Sequence, residues 1–242
     1  MQIRLLQPDL QAGDLCLSRD NSHHLIKVLR AREDSPLVLF DGRGIEYQAV
    51  VIVADPKACL VRVQDGHRVS RESTVQTHLI QSLCLGDKMD WVVEKACELG
   101  VSSIQPVRSA RSQLRLDGDR AHRRQAHWGR IACAAAAQSG RNLVPLVRPI
   151  CSLNEALTAF ASQPGVKTGW ILDPLAQTSL SAASLEGPLT IAIGPEAGWT
   201  DEETASALLL GFSGVRCGLR ILRAETASTV VLAAVATRHQ EF

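Results

Sequence analysis

The stretch IAIGPEAGWTDEE at 191–203 limits what this chain can become more than any other. Three apolar residues run straight into Gly194-Pro195-Glu196-Ala197-Gly198, and Thr200-x-x-Glu203 then forms a capping box that opens a helix. A turn from strand to helix presents backbone N–H groups to a ligand, and glycine lets that ligand come close. Taken alone, such a loop can also be only a tight turn. Its position in the chain narrows the choice. A Walker loop needs a Lys after its last glycine, and no Lys follows Gly198. A dinucleotide loop sits early in its domain, with an acidic residue about 20 positions on at the end of a second strand. Only 44 residues follow Gly198, too few for the rest of such a domain. The C-terminal segments must therefore build the pocket themselves.

A second segment, LRILRAETA at 219–227, repeats the pattern of an apolar stretch passing into a helix. It places Arg223 and Glu225 in the connection. Two opposite charges there can be a surface ion pair worth about 0–1 kcal/mol. Two such loops near one terminus point together to a site.

Upstream, the pattern changes once. Residues 1–70 read as short strands with close turn signals: PLVLF into Asp41-Gly42, then two strands within 47–66 broken by Asp55-Pro56. That spacing predicts a small barrel. HHLIKVLR reads as a short helix, whose adjacent histidines point to different faces and do not make a metal pair. HRVSREST at 67–74 reads as a linker. From there strands at 77–84, 104–109, 169–173 and 189–194 alternate with helices at 87–101, 119–139, 200–210 and 227–238. The first of these helices is read with a stripe of Trp91, Val92, Ala96 and Leu99. Alternation of this kind predicts a mostly parallel sheet covered on both faces.

Charge and cysteine usage limit the partners. Residues 1–148 hold 21 Lys and Arg against 16 acidic residues, whereas 149–242 hold 5 against 9. Within 104–148 there are nine arginines and no lysine. Arginine forks phosphate oxygens, so this stretch is either a solvated helix face or a polyanion surface. The seven cysteines form no C-x-x-C pair and read as reduced packing residues, with no metal. No apolar run reaches the length of a membrane span, and MQIRLLQPDLQAGD carries no leader segment, so a cytoplasmic protein is expected.

IGPEAGWTDEE and LRILRAETA resemble the two signature segments of the bacterial 16S ribosomal RNA (uracil-N3)-methyltransferase family, within the SPOUT superfamily. WVVEKACELGV, QSGRNLVP at 138–145 and HHLIKVLR resemble its other motifs, in the family's order and over nearly the whole chain. Ala197 stands where the family usually has Gly, and Ala224 where it usually has Thr. At 197 the question is whether the backbone needs a positive φ, which alanine tolerates poorly.

The resemblance implies an α/β fold: a SPOUT-type domain at 74–242 with a C-terminal trefoil knot, preceded by a PUA-like β-barrel at 1–70. It implies S-adenosylmethionine as cofactor, held by Leu172, Asp173, Ile193, Gly194, Pro195, Glu196, Gly198, Leu219, Ile221, Leu222 and Thr226. Arg223 and Glu225 are the implied catalytic residues. The expected partners are 16S rRNA or the small ribosomal subunit, and a second copy of the chain as a homodimer. Arg30, Arg108, Arg111, Arg120, Arg123, Arg124 and Arg141 are the expected RNA contacts. A 2′-O-ribose SPOUT methyltransferase and a noncatalytic RNA-binding module are the competing readings.

Overall fold

A computed structural model describes residues 2–165 and 167–242. The chain forms two compact units, Met1–Glu72 with Ala136–Val144, and Ser73–Ala135 with Pro145–Phe242.

The first unit contains β1 (Ile3–Leu6), β2 (Gly13–Cys16), α1 (Arg19–His23), β3 (Pro36–Phe40), β4 (Ile45–Val53) and β5 (Leu60–Arg68). They form one sheet in the order β1-β3-β4-β5-β2, antiparallel except for β1 against β3. The period-2 pattern places Ala49 and Val51 of β4, and Val61 and Val63 of β5, in a core with Leu37, Leu39 and Leu25. The short helix continues as a π-turn, His24–Val28. Ala31 N closes it on Leu25 O at 3.1 Å, with Arg30 in the left-handed region at φ 57.

One carboxylate organises this unit. Glu46 on β4 is 8% exposed and accepts from Arg71 Nη1 at 2.9 Å, Arg4 Nη1 at 3.1 Å and Asn142 Nδ2 at 3.1 Å. Gly140, at φ +82, turns the chain out of the preceding helix, and its carbonyl accepts from Arg71 at 3.0 Å. Gly44 N then donates to Asn142 O at 3.1 Å. Two differences from the sequence reading follow. Residues 136–144, read as part of a continuous second domain, cluster with the first unit because these bonds hold them there. Arg141, expected to touch RNA, is 4% exposed and ion-paired with Glu72, so no phosphate reaches it. The expected linker is also shorter, since β5 runs to Arg68 and both Arg71 and Glu72 are ion-paired.

The second unit contains β6 (Thr77–Ser82), α2 (Lys88–Glu98), β7 (Ser103–Arg108), most of α3 (Gly118–Ser139), β8 (Leu146–Val147), β9 (Cys151–Ser152) and α4 (Leu153–Ala161). It continues through β10 (Thr168–Leu172), β11 (Thr178–Ser179), β12 (Leu189–Ile193), α5 (Asp201–Leu209), β13 (Phe212–Arg216) and α6 (Ala224–Arg238). The sheet order is β11-β13-β10-β12-β6-β7-β8, with β9 also on β7, and every pairing is parallel. Strands buried on both faces read as unbroken apolar runs, and all five residues of β12 are buried. On α2 the buried residues are Met89, Val92, Val93, Ala96 and Cys97. Trp91 is 41% exposed, because the stripe at 89, 92, 93 and 96 satisfies helical spacing without it. The last helix starts at Ala224 rather than Ala227, which puts Glu225 and Thr226 in its first turn.

Glu46 makes the first unit acid-sensitive. The bond from Arg71 is the main cause that lowers its pKa from 4.5 to about 2; burial opposes this, and Asn142 and Arg4 lower it further. A depressed carboxylate stabilises the fold fully above its unfolded pKa. That stability, roughly 3 kcal/mol, is lost as pH falls from about 4.5 toward 2. Denaturant titrations across pH should show this loss, and Glu46→Gln should flatten it while lowering stability at neutral pH. An acid limb identical in both proteins would assign the sensitivity elsewhere.

Candidate active site

β10, β12 and β13 stand side by side, and their carboxyl ends open into three loops. Crevices of this kind, beyond the carboxyl ends of parallel strands, are where α/β sheets take ligands. After β10, Asp173 Oδ1 accepts from Leu175 N at 2.9 Å and fixes the turn. After β12, Gly198 N closes on Pro195 O at 2.9 Å, with Gly198 at φ +69. Ala197 is not among the positive-φ residues, so the left-handed position falls on the glycine and the departure at 197 is accommodated. After β13, the chain runs from Cys217 to Arg223 with Gly218 at φ +81.

These loops enclose a pocket of about 520 Å³. Leu172, Asp173, Ile193, Gly194, Pro195, Glu196, Gly198, Ile221 and Leu222 line it. Leu219 and Thr226 do not: Leu219 is 92% exposed, and Thr226 sits in the first turn of α6. The segment read as an apolar strand end is a loop, because β13 stops at Arg216. Trp199, Val215, Arg216, Arg220 and Arg111 also line the pocket, and sequence reasoning did not assign them to it. Adjacency to Gly198 could have drawn in Trp199. Arg111 lies 86 residues before Ala197 and left no local signal.

The glycine loop is held from outside. Arg111 Nη1 donates to Trp199 O at 2.8 Å and to Ala197 O at 3.1 Å. Glu203 closes the capping box on Thr200 N at 2.9 Å and accepts from Ala110 N at 2.8 Å with its other oxygen. Glu196 accepts from Lys88 Nζ at 2.7 Å and Leu85 N at 3.3 Å. Burial pushes its carboxyl upward, but Lys88 and the backbone donors outweigh this and hold it below the usual range. Burial, aided by the charges of Glu196 and Glu225, pushes the Cys84 thiol up to about 12 and keeps it unreactive.

Arg223 is the N-cap residue of α6; its carbonyl accepts from Ala227 N at 2.8 Å, and its exposed side chain has no hydrogen-bond or ion-pair partner among the described residues. Glu225 follows in the first turn, partly buried, with Oε2 unpaired. Neither lines the pocket. Arg120, Arg123 and Arg124 are exposed on α3, Arg30 is exposed, and Arg108 lies half-buried 3.9 Å from Asp117. No His, Cys, Asp and Glu cluster fit for a metal occurs among the described residues. No helix of the described residues is long and apolar enough to cross a membrane.

A parallel sheet with a loop-walled pocket at three adjacent strand ends, preceded by a small β-unit, defines a cofactor-binding α/β protein with an accessory domain. The chain belongs to the RNA methyltransferase family: the model of the RNA methyltransferase domain matches residues 71–236, and that of the RNA methyltransferase PUA domain matches 17–64. It is 30% identical over 237 residues to ribosomal RNA small subunit methyltransferase E of Bacillus subtilis, covering 93% of this chain and 90% of that one. Its structure is similar to that of the same-named Neisseria gonorrhoeae enzyme bound to S-adenosyl methionine, with TM-score 0.90, 36% identity and 98% of each chain covered. A Legionella pneumophila methyltransferase in complex with its cofactor gives TM-score 0.91 at 31% identity over 98% of both chains. The SPOUT-type α/β fold with a PUA-like unit ahead of it is the fold observed.

Backbone conformation makes adjacent loop positions unequal. Gly198→Ala should destabilise the protein by about 1–2 kcal/mol, because a Cβ is strained at φ +69. Ala197→Gly should cost less than about 1 kcal/mol, through chain entropy alone. Chemical denaturation of both variants checks the ranking, and equal costs would contradict it.

Proposed function

We propose that the protein transfers a methyl group from S-adenosylmethionine to N3 of a uridine in 16S ribosomal RNA. The observation that carries this reading is the pocket at the ends of β10, β12 and β13, walled by the glycine loop. The residues present fit the cofactor. About 520 Å³ is the size of a small-molecule site. Leu172, Ile193, Val215 and Leu222 offer apolar walls for an adenine. Trp199 and Arg216 line the pocket, and each has a buried N–H without a partner among the described residues, Nε1 and Nε respectively.

When bound, S-adenosylmethionine supplies an activated sulfonium methyl. The chain's task is then to orient the acceptor in line and to help a proton leave uracil N3. The Arg223 guanidinium, without a protein partner among the described residues, is suited to stabilise the uracil anion at O2 or O4 or to grip a phosphate. Glu225, with an unpaired oxygen, is suited to accept the proton or to orient Arg223. We read the loops at 194–199 and 217–223 as parts of a trefoil knot. Ile221 is 85% and Leu219 92% exposed beside the pocket, which supports a homodimer covering them. The first unit and the arginines of 108–124 supply the RNA surface, and the protein works in the cytoplasm on the small subunit or its RNA. With only nine aromatic residues in the chain, phosphate contacts and RNA shape carry more of this than base stacking.

Transfer of labelled methyl from the cofactor to small-subunit RNA, followed by nucleoside mass spectrometry, tests the whole reading. A ribose-methylated product would replace N3 by the 2′-O alternative, and no cofactor binding would leave an RNA-binding module. Within it, Gly194→Val should weaken S-adenosylhomocysteine binding by roughly tenfold or more, because a Cβ there meets the Trp199 ring at 3.3 Å. Calorimetry giving an unchanged affinity would move the ligand elsewhere. Arg223→Ala should lower the single-turnover rate by about 2–4 kcal/mol in barrier at saturating RNA and cofactor. A loss confined to KM would make Arg223 an RNA-gripping residue instead.

A further inference from the structure

Arg111 stands where the turn after β7 meets the glycine loop after β12. One of its guanidinium nitrogens, Nη1, bonds both carbonyls that flank Gly198, Ala197 O and Trp199 O. Its remaining N–H groups make no hydrogen bond or ion pair among the described residues; the Glu202 carboxylate lies near enough to feel its charge without bonding it, and the side chain lines the pocket from an exposed position. One edge of the fork is therefore engaged with the cofactor loop, and the other is open to an anionic oxygen.

The base of this side chain is rigid. Arg111 lies in the turn after β7, where Ser82, Ser109 and Ser112 form a buried ring of hydroxyls at 2.6, 2.8 and 2.9 Å. Ala110 N is tied to Glu203 at 2.8 Å, at the start of α5. The chain that leaves the turn carries the exposed Arg115, Arg120, Arg123 and Arg124. The turn thus links an arginine-rich arm to the loop that shapes the pocket.

We propose that Arg111 is a positioning residue that couples RNA capture to cofactor binding, its open edge taking an RNA phosphate while its other edge holds the glycine loop. The proposal rests on the methyltransferase reading given above. A phosphate on the open edge fixes the guanidinium, so the carbonyl clamp is held in place before the cofactor arrives. Coupling between two ligands is reciprocal and is typically 5–150-fold.

The test uses the full chain, S-adenosylhomocysteine as an unreactive cofactor and transcribed small-subunit ribosomal RNA. Affinity for the cofactor is measured with and without RNA, and for RNA with and without cofactor. In the unaltered protein each ligand should tighten the other by about fivefold or more. Arg111→Met should abolish this mutual effect. Arg111→Lys, which keeps a charge without the fork, should retain part of it and serves as the test variant if Arg111→Met does not fold. A variant that weakens cofactor binding equally with and without RNA leaves the coupling intact, reduces Arg111 to a structural strap and overturns the proposal. The source of the anion is tested with 5′-methylthioadenosine, which lacks the amino-acid carboxylate. If Arg111→Met weakens S-adenosylhomocysteine alone, without RNA, and spares methylthioadenosine, the open edge serves the cofactor's carboxylate and the proposal fails. An unaltered protein that binds neither cofactor would defeat the methyltransferase reading itself. One that binds cofactor and RNA without mutual effect would defeat only the coupling.

Discussion

A loop that offers its backbone N–H groups to a ligand leaves its carbonyls to be satisfied from elsewhere. The rest of the second unit is arranged around that constraint. The loop from Gly194 to Trp199 closes one backbone–backbone bond on itself among the described residues, Gly198 N to Pro195 O. Arg111 supplies donors for two further carbonyls, and Glu196 and Glu203 anchor the loop's two ends to the segments after β6 and β7. Each support comes from a strand end in the other half of the sheet. The pairing of β12 with β6 brings those ends to one edge, so sheet order and loop shape are one problem.

The sequence was most informative where a local rule acts alone. The capping box at Thr200 and Glu203, the apolar runs of β10 and β12, and the Asp41-Gly42 turn all follow from their neighbours in the chain. Nine of the eleven cofactor residues that the family resemblance implies line the pocket, at strand ends and in the loops beside them. The misjudged residues depend on distant partners. Arg141 looked like another member of an exposed basic stretch, yet its charge is consumed by Glu72. Arg111 was expected only as an RNA contact, and nothing near it in sequence shows that it also holds carbonyls after β12. Trp91 was read on a stripe with Val92, Ala96 and Leu99, but Met89, Val92, Val93 and Ala96 already fill the buried stripe.

Charge is sorted by role as well as by sign. In the first unit Arg4, Arg71 and Arg141 are bound to largely buried carboxylates and hold structure, while Arg62 pairs with Asp14 at the surface. Among the described residues, the arginines of α3 that face solvent have no such partners, which leaves their charge available to a polyanion. A basic stretch counted by composition mixes these two populations. Only the partner of each guanidinium separates them.

The first unit is interrupted in the chain: its sheet ends at Arg68, yet residues 136–144 supply Asn142 to Glu46 and the Gly140 carbonyl to Arg71. A ribosome makes the chain from the N-terminus at about 5–20 residues per second. Every strand of the first sheet therefore emerges several seconds before the segment that completes it. During that interval Glu46 is a nascent carboxylate flanked by arginines and lacking its amide. A stalled chain ending before residue 140 thus carries all five strands of the sheet while Glu46 lacks Asn142 and Arg71 lacks the Gly140 carbonyl.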